Sequence, residues 1–195
     1  MTGRSASAAP TRFVALRWTF AWNVRGDASA SSFVSEAQRL SGLALPLEPC
    51  TGTRAAARSL FWLGPRSWLW IDGADGATAD FDSARRALNA VGGALFDLSA
   101  AYTGWAVSGA LAATVLNRGC PLDLRARAFG AGRCAQSLLG HLPALFYRPN
   151  ERPLFVVMVP RSLALDAWHH LRGYAEAEGC TSDPAAIPFG AFEGE

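Results

Sequence analysis

The apolar and polar positions alternate most regularly near the start of the chain. Leu16, Trp18, Phe20, Trp22 and Val24 interleave with Arg17, Thr19, Ala21, Asn23 and Arg25. That period predicts one strand with a buried face and a wetter face, as in antiparallel sheets. The spacing then changes to a helical one, with Phe33, Ala37 and Leu40 on one face, Ser31 or Ser32 as the cap and Gly42 as the stop. The run SLFWLGPRSWLWIDG reads as a hairpin, two β-rich stretches around the turn Gly64-Pro65-Arg66-Ser67. A second helix is expected from about Asp82, with Ala84, Leu88 and Val91 inward and Gly92-Gly93 ending it.

The remainder repeats that order of elements. YTGWAVS is a strand, and Ser108 is the expected cap of a helix turning Leu111, Val115 and Ala112 or Leu116 inward. CAQSLL, ALFYR and PLFVVMV follow as strands, and Ser162 is the expected cap of a last helix striped by Ala164, Trp168, Leu171 and Ala175. Two similar halves, about 12–95 and 96–178, therefore make one domain over 12–178. The expected fold is α+β, two split βαβ, ferredoxin-like halves packed side by side. Residues 1–11 read as a flexible tail. Residues 179–195 read as a second tail, broken by prolines and glycines but carrying Ile187, Phe189 and Phe192.

Composition changes this picture only at the margins. Half of the 195 residues are hydrophobic, enough for a sizeable core, and the net charge of +2 gives no footing for nucleic acid. Every basic residue is arginine, which excludes a Schiff-base lysine and a lysine-bearing phosphate loop. The segment 98–117 carries no charge, yet it is rich in Ala, Ser, Thr and Gly and breaks at Ser108-Gly109, so it reads as strand and helix rather than a bilayer span. Cys50, Cys120, Cys134 and Cys180 form no C-x-x-C pair, which suits reduced thiols in a cytoplasm.

Candidate chemistry is sparse. Cys120 follows Gly119 and precedes Pro121, the composition of a helix stop, while Arg118, Arg125, Arg127 and Arg133 crowd around it as if to lower a thiol pKa. No histidine lies nearby in sequence to act as base, so the helix-stop reading prevails. Gly130 to Ala135 fits G-x-G-x-x-A, but it precedes a strand instead of a helix and so lacks the dinucleotide context. His169 and His170 are adjacent on a helix and diverge by about 100°, which presents no metal face. Asp97 and Asp123 are candidate carboxylates, Asp123 as the partner of a neighbouring arginine. Trp62, Trp68 and Trp70 with Arg66 fit either a core or a protein interface, where Trp and Arg are favoured. Together with Phe189 and Phe192 they form the candidate partner surface.

Several stretches taken together resemble the gamma subunit of heterotetrameric sarcosine oxidase. They are Phe61 to Ser67 with the following WLWI, FDLS at Phe96 to Ser99, VSGALAATVLNRGCPLDL, GRCAQSLL and VPRSLALDAWHHL, and the likeness extends over about 12–178. The resemblance implies a fold similar to the folate-binding domain of glycine-cleavage aminomethyltransferases. It implies alpha, beta and delta partners that hold FAD, FMN, NAD, tetrahydrofolate and zinc and oxidise sarcosine, with no catalytic, cofactor or metal residue in the gamma chain. A stand-alone folate-binding protein or aminomethyltransferase-like enzyme, with the four arginines meeting a polyglutamate tail, is the alternative of a different class. A subunit of a related N-methyl amine oxidase is a third. RGCPLDL shares only Gly-Cys with the K-G-C-Y-x-G-Q of a related iron–sulfur maintenance family, so that family's thiol role is not transferred to Cys120.

Overall fold

The computed structural model describes residues 11–73 and 79–180, and the backbone of 186–188. Two antiparallel sheets are built in alternation. The smaller contains β2 (Phe20–Arg25), β3 (Gly52–Ala55), β4 (Arg58–Gly64), β5 (Ser67–Asp72) and β6 (Ala94–Asp97). Its order is β3-β4-β5-β2-β6. The larger contains β1 (Arg12–Arg17), β7 (Tyr102–Ser108), β8 (Cys134–Leu139), β9 (Leu142–Tyr147), β10 (Leu154–Pro160) and β11 (Ala186–Pro188). Its order is β11-β1-β7-β10-β9-β8, with only the β1–β11 pair parallel.

Among the described residues the α-helices are α1 (Ser31–Ser41), α2 (Phe81–Ala90), α3 (Ala112–Asn117) and α4 (Ala164–Ala177). Placing β2, α1, β3, β4, β5, α2, β6 beside β7, α3, β8, β9, β10, α4 shows the same winding twice, as the order of elements in the sequence suggested. The place that β6 takes beside β2 is taken in the larger sheet by β1 beside β7. The first strand therefore joins the second half's sheet.

Burial explains the run-like strands. Leu154, Val156 and Met158 of β10 meet the smaller sheet, while Phe155, Val157 and Val159 face α3 and α4, and all six are buried. In β5, Leu69 and Ile71 point between the sheets and Trp68 and Trp70 point towards α1 and α2. Helices thus cover the outer face of each sheet and one apolar layer lies between the two inner faces. A strand covered on both sides reads as a continuous apolar run rather than an alternation.

Several expectations are corrected. The alternating stretch from Leu16 to Val24 is two strands in two sheets, because the chain crosses between them at Trp18-Thr19. Trp18 Nε1 donates to Ser99 O at 3.1 Å and Thr19 N to Asp72 O at 2.8 Å. Ser31 and Ser32 already lie inside α1, whose cap position is Ala30 with no side-chain bond, and the turn before it is held by Asp27, whose Oδ1 accepts from Ser29 N at 2.9 Å. Ser108 ends β7 and does not cap α3, which starts only at Ala112 and leaves Leu111 outward. Ser162 sits in a single 3-10 turn, Arg161–Leu163, ahead of α4. Gly42 does end α1, with φ 70, and the hairpin of β4 and β5 is as expected. The strands β3 and β6 are too short for their pattern to be read. Ala186–Pro188, placed in a tail, pairs with β1. No helix among the described residues is long and apolar enough to cross a membrane, and 98–117 is a crossing loop, a strand and a short helix.

Phe33 of α1 is fully buried against Trp68, and two glycines make room for its ring. A Cβ at Gly93 would lie 2.9 Å from it, and one at Gly26 would lie inside its van der Waals envelope. Gly26→Ala should therefore destabilise the protein by about 1–3 kcal/mol, the range for overpacking a filled core, read as a lower midpoint in urea with an unchanged slope.

Candidate functional site

The loop after α3 answers what Cys120 does. The helix stops at Asn117, and the Asn117 carboxamide holds the next turn. Its Nδ2 donates to Leu122 O, and its Oδ1 accepts from Leu124 N at 3.2 Å. Cys120 is buried beside α3 and α4, with Sγ 4.0 Å from Ser137 Oγ. Burial pushes its thiol above the ordinary range, opposite to what a nucleophile at neutral pH requires. It is a plug in the core. The loop's far side is held by Arg148, a buried guanidinium that donates from Nη1 to Phe129 O at 2.9 Å and from Nη2 to Glu151 O at 2.9 Å.

The arginines near this loop do not converge on a common point. Arg118 pairs with Glu178 at 2.6 Å, Arg125 with Asp123 at 2.7 Å and Arg133 with Glu48 at 3.0 Å, while Arg127 approaches Asp123 at 3.9 Å. Each already faces a carboxylate of this chain. Asp123 is held most firmly, since Arg125 grips both of its oxygens and also donates its backbone N–H at 3.0 Å. These bonds, the Arg125 side chain first, lower its carboxyl to about 2. Asp97 spends its carboxylate on Ser99.

His169 is exposed, whereas His170 is half-buried with Nδ1 3.3 Å from Tyr174 OH and its ring edge-on to His141 at 5.2 Å. Among the described residues no group of three or more His, Cys, Asp or Glu side chains could hold a metal.

The candidate partner surface is divided by the structure. Trp68 and Trp70 are 0% and 2% exposed, so they are withdrawn from it. Both face α1 and α2, Trp68 donating to Pro46 O at 2.7 Å and Trp70 meeting Trp22 edge-on at 5.2 Å. The same strand face that grouped them in sequence carries them into the core. Trp62 is half-buried at the margin of that cluster. Arg66 is exposed at the hairpin tip, 3.4 Å from Asp27. Phe189 and Phe192 lie outside the described residues.

Phe96 is the residue missed: it is 50% exposed on β6 with the Arg25 guanidinium 5.8 Å from its ring centroid. Leu95 is buried and strand alternation turns Phe96 to the other face, but a four-residue strand is too short for that alternation to be read in the sequence. Asn23, the ladder partner of Phe96 on β2, shares that face. Arg25, Pro65, Arg66 and Ala94 share one shallow hollow at the end of the smaller sheet, beside Phe96.

A model of the sarcosine oxidase gamma subunit family matches residues 25–178, most of the chain. The chain belongs to this family. Among curated relatives, the sarcosine oxidase subunit gamma of an Arthrobacter species is 35% identical over 103 residues, 53% of this chain and 50% of that one. The subunit gamma of Corynebacterium sp. strain U-96 is 35% identical over 94 residues, 48% of this chain and 45% of that one. The matches thus span about half the length of these curated relatives. A chain in the structure of the heterotetrameric sarcosine oxidase from Corynebacterium sp. U-96 in complex with pyrrole 2-carboxylate superposes with a TM-score of 0.78 at 23% identity, covering 88% of this chain and 86% of that one. Aminomethyltransferase T of the glycine cleavage system from Bartonella henselae superposes with a TM-score of 0.65 at 14% identity, covering 94% of this gamma-family chain and 49% of that one. The fold expected by resemblance is the fold observed.

Two outcomes test the loop. Asn117→Ala leaves the buried Leu124 N–H without a partner and should cost about 1–3 kcal/mol, measured by denaturant unfolding. The lowered carboxyl of Asp123 contributes stability that is present above its unfolded value near 3.8 and disappears as pH falls towards about 2. Stability profiles of the wild type and Asp123→Asn should therefore converge only below about pH 2 and separate slightly above pH 4, the gap being small because the pair is at the surface.

Proposed function

We propose that this chain is the non-catalytic gamma subunit of a heterotetrameric sarcosine oxidase and helps assemble or stabilise its large flavin-bearing subunits. In this reading the complex converts sarcosine, oxygen and water into glycine, hydrogen peroxide, and formaldehyde or methylene-tetrahydrofolate. FAD, FMN, NAD, tetrahydrofolate and zinc reside in its alpha, beta and delta subunits.

The observation that carries the reading is the family match from residue 25 to residue 178. The use made of the landmark residues supports it. Ser99 of FDLS binds the two sheet crossings together, Asn117 and Cys120 of the long stretch close a loop, and Arg161 of VPRS donates from Nε to Ala100 O at 2.9 Å. These residues build the scaffold. The hollow flanked by Arg25, Arg66 and Phe96 combines exposed guanidinium and aromatic surface, the composition favoured at protein interfaces.

Co-expression with the alpha, beta and delta chains, followed by size exclusion and a sarcosine-dependent peroxide assay, tests both statements. The wild-type chain should co-elute in equal amount, and omitting it should collapse assembly or activity. If the other three chains assemble and turn over normally without it, the subunit reading fails, and folate titration of the isolated chain becomes the next measurement. Phe96→Asp combined with Arg66→Glu should weaken co-elution at least about tenfold with an unchanged melting temperature, as for central interface anchors. If that variant co-elutes as the wild type does, the interface lies elsewhere and the subunit reading stands.

A further inference from the structure

Among the described residues, the two sheets are joined edge to edge by one bridge. An antiparallel bridge pairs Thr51, just before β3, with Arg133, just before β8. Its two bonds run from Gly52 N to Gly132 O at 2.8 Å and from Cys134 N to Cys50 O at 2.9 Å. This pattern sets Cys50 opposite Cys134. One backbone bond, Cys134 N to Cys50 O, joins the two residues directly, and a disulfide spans Cα atoms ~4.4–6.8 Å apart. The Cys134 Sγ lies 3.2 Å from the carbonyl oxygen of Thr51, the residue after Cys50, and 3.7 Å from that of Trp62. Both thiols are free in this structure, Cys134 buried and Cys50 partly open to solvent.

The backbone supplies a second, independent observation. Cys50 adopts φ 60, a left-handed conformation, directly after Pro49. A turn with proline second and a positive φ third ordinarily takes glycine or asparagine there. A cysteine in that position bears strain that glycine would avoid. Turn geometry therefore does not account for the residue, whereas its place opposite a second cysteine does.

We propose that Cys50 and Cys134 are a reversible redox pair whose disulfide clasps the smaller sheet to the larger. The oxidant is a hydroperoxide. The partly exposed Cys50 sulfur attacks one peroxide oxygen, the O–O bond breaks, and Cys50 becomes a sulfenic acid as the other oxygen leaves as water. The Cys134 sulfur then displaces the sulfenic oxygen as a second water and the S–S bond forms. Two thiols thus give up two electrons and two protons to one hydrogen peroxide, and a dithiol reverses the change. Burial pushes the Cys134 thiol up to about 12, with the neighbouring Cys50 adding to the shift, so the first attack on peroxide falls to Cys50.

The test uses the full chain with whatever subunits purify with it. It is treated with hydrogen peroxide, unfolded in the presence of iodoacetamide and cut with trypsin. Cleavage after arginine, except before proline, puts the cysteines on separate peptides: Leu40–Arg54, Gly119–Arg125, Cys134–Arg161 and Gly173–Glu195. The expected product links the first of these to the third, returns to two alkylated peptides with dithiothreitol, and leaves Cys120 and Cys180 singly alkylated. Oxidised wild type should melt higher than reduced by ~5 °C or more. Cys50→Gly keeps the turn, should melt at or above the reduced wild type, and should lose the peroxide response. Unlinked, alkylated peptides after a large peroxide excess overturn the proposal. So does Cys50 carried to sulfinic acid beside a free Cys134, or Cys50 linked to any other cysteine.

Discussion

Leu154, Val156 and Met158 of one sheet close against Phe61, Leu69 and Ile71 of the other, with the rings of Phe61 and Tyr147 4.7 Å apart. Neither sheet could leave this face to water. Each buried aliphatic side chain contributes about 1.5–3 kcal/mol on transfer from solvent, so the layer binds the halves more firmly than a short linker would. The outer faces are then free to be covered by helices, and the strands must be apolar on both sides. Much of the rest follows from this layer, including where the chain crosses, which tryptophans are hidden and which edges remain open.

The crossings are where polar chemistry returns. The chain passes between sheets at Trp18-Thr19 and again after Asp97, and the two passages are bonded together. Ser99 accepts from Trp18 and from Ala21 N, and Leu98 N donates to Ala21 O at 2.8 Å. Backbone groups leaving a sheet in the interior need such partners. The FDLS stretch therefore has a structural role. Its serine satisfies the two places where regular hydrogen bonding is interrupted.

Helical spacing, the Gly64 to Ser67 turn and the paired order of elements were all legible in the sequence, because each depends on neighbours a few residues apart. The break at Trp18 was not, since Trp18 and Thr19 continue the alternation and only the distant Ser99 and Asp72 reveal the crossing. For the tryptophans, one strand face was correctly read for Trp68 and Trp70, but which side that face meets depends on α1 and α2. Phe96 was hidden by the brevity of β6. The opposition of Cys50 and Cys134 rests on a bridge of one residue pair between segments that no local pattern connects.

The place of β1 in the larger sheet bears on the order of synthesis. Its partners Val107, Ala106 and Trp105 emerge from the ribosome only after the whole of the smaller sheet. Until then Phe13, Val14 and Leu16 are an apolar strand with neither ladder partner nor cover, the kind of edge that invites pairing with other chains. The smaller sheet can close early around β2, yet the residues just ahead of it must wait. A strand that precedes the smaller sheet in the chain thus completes only the larger one, and it stays unpaired in water until β7 is made.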